Sequence, residues 1–146
     1  MNDSFEVTDL LNALENNDNE SIISKNLTSD RIEDIKNNVF NDIGINDDLK
    51  NEFRTKLKEY IYIDGMSELF DGSYIRWIPL SNPERIYLTR GGNVCDINIT
   101  EKGTSVVVKN LRNNYMQMSL DKCLIFRKLK KEELILISAM NYLQNN

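Results

Sequence analysis

The residues of this 146-residue chain best suited to chemistry are basic and aromatic, and they lie in its second half. Basic groups can follow a phosphate backbone and aromatic rings can stack on bases, so a nucleic-acid-binding sheet needs both. The alternative is that the aromatic residues belong to the core and the lysines are solvated, since no aromatic doublet of RNA-recognition type is present. The candidate partner- or nucleic-acid-binding residues are Arg76, Arg90, Lys109, Arg112 and Tyr115.

Charge is divided unevenly along the chain, whose net charge is −5. Residues 1–71 carry 7 Lys+Arg and 17 Asp+Glu, a net charge of −10, whereas residues 72–131 carry 11 and 4, a net charge of +7. Such asymmetry predicts nucleic acid or an acidic protein as the partner of the basic half. Mutual neutralisation of the two halves is an equally good explanation.

The residue types present exclude most familiar catalytic arrangements. The chain has no histidine, which removes Ser-His-Asp and Cys-His catalysis and histidine-ligated metals. Glycine-rich nucleotide motifs are missing, and Cys95 and Cys123, too far apart for a Cys-x-x-Cys pair, are predicted to be small core residues. We therefore predict no catalytic, cofactor-binding or metal-binding residues. A carboxylate enzyme using, for example, Asp96 and Glu101 is the least favoured possibility.

Helical periodicity dominates the first part of the chain. Asp3 or Ser4 is placed to cap a short first helix. A second helix is predicted from residue 30, because apolar residues recur at helical spacing and Gly44 suits the position just past a helix end. The same spacing predicts a third helix, from Asp47 to Ile61. Residues 1–62 are therefore predicted to form an acidic helical region.

From Gly72 onwards apolar and polar residues alternate with a period of two, which is typical of strands. Short runs separated by turn-prone residues predict a five- to six-stranded antiparallel meander, either a small SH3-like or Sm-like barrel or a bent sheet. Helical spacing returns at Lys131 and predicts one C-terminal packing helix. The predicted fold class is α+β, with residues 63–146 forming a basic β domain that is either separate from residues 1–62 or joined to them in one compact unit.

Four segments resemble short uncharacterised proteins of nucleocytoplasmic large DNA viruses of the mimivirus kind. The segments are 62–66 (Tyr-Ile-Asp-Gly-Met), 72–78 (Gly-Ser-Tyr-Ile-Arg-Trp-Ile), 95–99 (Cys-Asp-Ile-Asn-Ile) and 124–126 (Leu-Ile-Phe), and the resemblance covers about residues 60–143. It implies a setting, host cytoplasm or a virion, and carries over no functional residues.

These observations predict a non-enzymatic binding module that engages nucleic acid or an acidic protein through a basic β face. The main alternative is a structural or assembly protein, for example a virion-associated one, that forms homo-oligomers through helices 30–61. A cytoplasmic location is expected, with no membrane partner, because the longest apolar run falls far short of the roughly 20 residues that span a bilayer.

Overall fold

Helices precede and follow a block of strands in the computed structural model, which describes residues 6–145. The predicted α+β class is confirmed, and the capping residues predicted for the first helix, Asp3 or Ser4, lie outside the described residues. The helices are α1 (Val7–Glu15), α2 (Glu20–Ser24), α3 (Ser29–Asp42), α4 (Asp47–Lys56) and α5 (Lys131–Gln144), and the strands are β1 (Tyr60–Ile63), β2 (Tyr74–Pro79), β3 (Gly92–Thr100), β4 (Gly103–Lys109), β5 (Tyr115–Ser119) and β6 (Cys123–Lys128).

The predicted third helix is too long. The side chain of Asn46 accepts a hydrogen bond from the Leu49 amide and begins α4, which ends at Lys56 and not at Ile61. Tyr60 to Ile63 instead form β1, paired antiparallel with β6. Aromatic and β-branched residues favour a pleated strand, and here pairing with a distant segment overrides helical spacing.

The strands form one open antiparallel sheet in the order β1-β6-β2-β3-β4-β5. The predicted five- to six-stranded meander is limited to four strands, β2 to β5, each lying beside the next in sequence, because residues 86–89 form no strand. β6 then returns across the sheet to lie between β1 and β2. Of the two predicted forms, a small SH3-like or Sm-like barrel or an open bent sheet, the barrel is excluded because the sheet does not close: β1 and β5 lie at opposite edges and do not pair.

The chain divides into two compact units, and the first is helical. α5 belongs with the N-terminal helices: the Asn16 side-chain amide donates to the Glu132 carboxylate (2.9 Å), and the Ser29 amide donates to the Asn141 side-chain oxygen (2.9 Å). This unit comprises the described residues up to Asp42 and those from Leu129. The division differs from the predicted boundary after residue 62 in two ways: the C-terminal helix groups with the N-terminal helices, whereas α4 and β1 group with the other strands.

The second unit, residues 43–128, contains α4 and the whole sheet. In β2 the side chains of Ile75 and Trp77 are buried, whereas those of Tyr74 and Arg76, which alternate with them, are half-buried. A register shift between Val94 and Asp96 leaves Cys95 as an extra residue in β3. Cys95 is consequently exposed, so its predicted place in the core is wrong. Both cysteines are free, and Cys123 is half-buried.

Candidate ligand-binding site

Three of the five candidate residues share one face of the sheet. Tyr74 pairs with Asn93, Asn93 with Lys109, and Lys109 with Tyr115, across β2 to β5. Residues directly opposite one another on neighbouring strands point to the same side, so these four side chains form a transverse row. Arg76 lies two residues beyond Tyr74 and points to that side as well. Three of the predicted residues, Arg76, Lys109 and Tyr115, therefore lie on one face of the sheet.

Tyr115 is the exposed aromatic residue at the edge of this row. Its side chain retains 67% of its accessible surface, and the Lys109 ammonium lies 5.8 Å from its ring centroid. A cation at this distance is attracted by the ring quadrupole and helps to orient the ring. The pair thus presents a positive charge beside a ring that is accessible for stacking.

The other two candidates, Arg90 and Arg112, meet at a pocket of about 300 Å³. Residues 89–91, which lead into β3, form one wall, and residues 110–112, which follow β4, form the other. Tyr74 of the transverse row and Met116 of β5 complete the lining. Two arginines that are far apart in sequence are therefore brought together at one concave site.

β2 fixes the wall that carries Arg90. The Tyr74 hydroxyl donates to the Arg90 carbonyl oxygen (2.6 Å), and Arg76 Nε donates to the Thr89 carbonyl oxygen (2.8 Å). Thr89 is also bonded twice to Trp77, through its own amide (3.0 Å) and its hydroxyl oxygen (3.1 Å). Arg76 does not line the pocket. Its hydrogen bond to the Thr89 carbonyl oxygen instead helps to hold this wall in place.

Gly91 lets the two backbones approach closely. Its φ is +79°, and a Cβ placed there would lie 1.9 Å from the Ile75 carbonyl oxygen. Only glycine accepts both the left-handed conformation and this contact. The sequence predicts a tight turn or bulge at Gly91-Gly92; the structure shows instead a close approach to β2.

The opposite wall is the β4–β5 hairpin loop, which is organised by Asn110. Its Oδ1 accepts from the backbone amides of Arg112 (2.9 Å) and Asn114 (3.0 Å), and its own amide donates to the Asn114 carbonyl oxygen (2.9 Å). An asparagine side chain that bonds its own downstream backbone is a standard way to order a turn. The ordered loop holds Leu111, which is 84% exposed, and Arg112 at its tip.

Sequence reasoning missed Leu111 and Met116 as contributors to the site, whereas Tyr74 was recognised as an aromatic residue close to the basic candidates. Neither a lone exposed leucine nor a half-buried methionine carries a functional signal in one sequence. The usable signal was the asparagine-rich segment Asn110 to Asn114, which predicts an ordered turn holding two non-turn residues, Leu111 and Arg112.

The positive charges of the site are not neutralised locally. Among residues 6–145, no carboxylate lies within 4.0 Å of the charged groups of Arg90, Lys109 or Arg112. Arg90 and Arg112 are exposed, and Lys109 is half-buried. We call these three residues together with Tyr115 the basic end of the sheet. Its uncompensated charge can attract an anionic ligand from solution.

The charge of Arg76 acts on Tyr60 of β1. Burial raises the pKa of Tyr60 above its ordinary 10.0, the nearby Tyr74 raises it further, and the Arg76 guanidinium opposes both. Because the folded-state pKa is the higher one, the folded protein holds this proton longer than the unfolded chain does. Stability should therefore fall as pH rises from about 10 through the folded-state pKa.

Replacing Arg76 with glutamine is expected to raise the pKa of Tyr60 further, because the one opposing charge is removed. Ultraviolet difference titration against a matched Tyr60→Phe background isolates this tyrosine from the others. An unchanged Tyr60 titration in Arg76→Gln would show that the guanidinium does not face the phenol.

The chain matches none of the family models, curated proteins or solved structures with which it was compared. Within the described part of the chain, no three acidic or cysteine side chains are grouped so as to hold a metal ion. Among residues 6–145, no helix combines the length and the apolar character needed to cross a bilayer. The features of the molecule that bear on function are therefore the basic end of the sheet and its pocket.

Proposed function

We propose that the protein is a non-enzymatic binding module that engages single-stranded nucleic acid through the basic end of the sheet. The observation that carries the proposal is the convergence of Arg90 and Arg112 on one pocket, whose lining residues Asn110 and Met116 directly follow Lys109 and the exposed Tyr115 in the chain. Guanidinium and ammonium groups that lack carboxylate partners suit phosphates, and an accessible tyrosine ring suits a base.

The geometry favours a single strand over a duplex. Stacking on Tyr115 requires a base whose face is free, and bases in a duplex have their faces covered by their neighbours. The site also presents a small pocket and a short hairpin loop. Neither is the helix or two-stranded ribbon that enters a major groove. Single-stranded recognition by a sheet with basic and aromatic groups needs no such element.

The assembly alternative gains no support from the described helices. The apolar side chains of α3 and α4 are buried or half-buried, including Ile32, Phe40 and Phe53. No large apolar side chain among residues 30–61 is exposed enough to form an oligomer face.

The setting we propose, host cytoplasm or a virion, rests on the viral resemblance alone.

The proposal is tested by fluorescence anisotropy with labelled single-stranded RNA, single-stranded DNA and duplex DNA of mixed sequence at two salt concentrations. We expect single strands to bind more tightly than duplex and more weakly as salt rises. Binding of an acidic peptide, with no binding of any nucleic acid at low salt, would replace this proposal with an acidic protein partner.

Tyr115→Ala is expected to weaken single-strand binding about tenfold while leaving the salt dependence unchanged, because the substitution removes a stacking surface and no charge. Tyr115→Phe is the matched control, since it keeps the ring and should retain most of the affinity. Equal losses in Tyr115→Ala and Tyr115→Phe would contradict stacking, since the two variants share only the loss of the hydroxyl.

A further inference from the structure

The pocket differs in character from the exposed ring of Tyr115. Its lining includes carbon-rich surface from Met116, Leu111 and the Tyr74 ring, with the two arginines among the lining residues. The Tyr74 hydroxyl donates to a carbonyl, and the Asn110 side-chain oxygen already accepts from two amides. Few polar groups of the wall are therefore free to read the edge of a ligand.

The size of the pocket limits what can occupy it. Its volume of about 300 Å³ lies at the lower end of the roughly 300–1,000 Å³ range of small-molecule sites. A phosphate alone would leave the apolar wall in contact with water. A ligand with one ring system and a phosphate would cover the apolar wall with its ring and place the phosphate near both arginines. A single nucleotide has this combination of groups.

Leu111 indicates where the base would lie. It is the most exposed large apolar side chain among the described residues, at 84%, yet the Asn110 turn holds it at the pocket beside Arg112. Covering such a side chain with a base removes apolar surface from water on both partners. Met116, half-buried on β5, is adaptable in shape and can pack against a flat ring of any base.

We propose that the pocket takes one unstacked nucleotide of the bound strand, its base against Leu111 and Met116 and its phosphates on Arg90 and Arg112. This inference rests on the proposed function and adds a base-dependent contact to it. Because the wall offers mainly apolar surface, the pocket accepts all four bases with similar affinity.

The test compares two labelled strands of about six nucleotides, one normal and one with an abasic backbone of the same charge, against the wild-type chain and Leu111→Ala. We expect the abasic strand to bind about tenfold more weakly with the same salt slope. Leu111→Ala should lower affinity several-fold for the normal strand and leave the abasic strand unchanged. This pattern assigns the base contact to the pocket, because stacking on Tyr115 is the same in both proteins.

Equal binding of the two strands would overturn the inference together with stacking on Tyr115 and would leave only the phosphate contacts of the proposed function, whereas no salt-sensitive binding of either strand would overturn both proposals in full. A Leu111→Ala effect of the same size on both strands would also overturn the base contact. Uridine monophosphate is the third probe and should compete only weakly. If it bound as tightly as the strand, the occupant would be a free nucleotide. Circular dichroism of Leu111→Ala controls for folding, which the replacement of an exposed leucine should not affect.

Discussion

Reversing both pocket arginines, in a variant that combines Arg90→Glu and Arg112→Glu, is expected to weaken single-strand binding by about 100-fold at low salt. Each arginine that meets a phosphate of a single strand contributes about 0.7 to the slope of log affinity against log salt. Loss of two such contacts should flatten the slope by about 1.4. The repulsion between the new carboxylates and the phosphates adds to the loss of affinity. Anisotropy titrations across several salt concentrations measure both quantities.

The matched control reverses two lysines at the opposite end of the same strands. Lys102 and Lys122 are exposed, and Lys102 lies in the β3–β4 hairpin, roughly 25 Å along β3 from the pocket. Lys102→Glu with Lys122→Glu changes the net charge by the same amount. The proposed site requires this control to bind far more tightly than the arginine variant. Equal losses would mean that only net charge matters, and unchanged affinity in the arginine variant would remove the pocket from the site.

Gly91→Ala is expected to lower the free energy of unfolding by about 2–5 kcal/mol. The left-handed conformation costs an alanine about 1–2 kcal/mol. The remainder arises because the new Cβ would lie 1.9 Å from the Ile75 carbonyl oxygen and must push the backbones apart. Urea unfolding gives the free energy, and strand binding should weaken as well because Arg90 is the adjacent residue.

Two other glycines of the same unit separate these contributions. Gly72 also has a positive φ (+83°), but a Cβ there meets nothing within 4 Å, so Gly72→Ala should cost only about 1–2 kcal/mol. Gly65 has extended backbone (φ −158°) and open space, so Gly65→Ala should be neutral or stabilise by about 0.4–1 kcal/mol. If Gly91→Ala cost no more than Gly72→Ala, the close approach to Ile75 would not constrain the site.

Local patterns predicted those parts of the fold that local contacts determine. The span of α3, the left-handed Gly44 (φ +67°) after it and the β3–β4 hairpin follow from periodicity and turn residues. The predicted third helix extends too far because Tyr60 and Ile61 continue the helical spacing of Phe53 and Leu57. Pairing with β6, far along the chain, decides that segment, and one sequence does not reveal such pairing.

The sequence was sufficient to predict which residue types form the candidate site, but not how those residues are arranged in space. The charge excess after residue 72 and the scattered aromatics pointed to all five candidate residues. That Arg90 and Arg112 converge depends on the strand register and on the contact between Gly91 and Ile75, both of which are tertiary. Arg76 supports the pocket wall through its hydrogen bond to the Thr89 carbonyl oxygen and does not line the pocket. No sequence pattern distinguished this supporting role from the role of the other basic residues.

The position of β6 has a consequence for how the chain folds during synthesis. β6 is the last of the six strands of this sheet to leave the ribosome, yet it lies in the interior of the sheet and bonds to both β1 and β2. Until it arrives, both strands expose unpaired backbone, and β1 has no partner strand. Strands β2 to β5 each pair with the next strand in sequence and can do so as they emerge. The strands that carry the pocket can therefore pair before β6 is made, whereas the sheet is completed only when β6 has emerged.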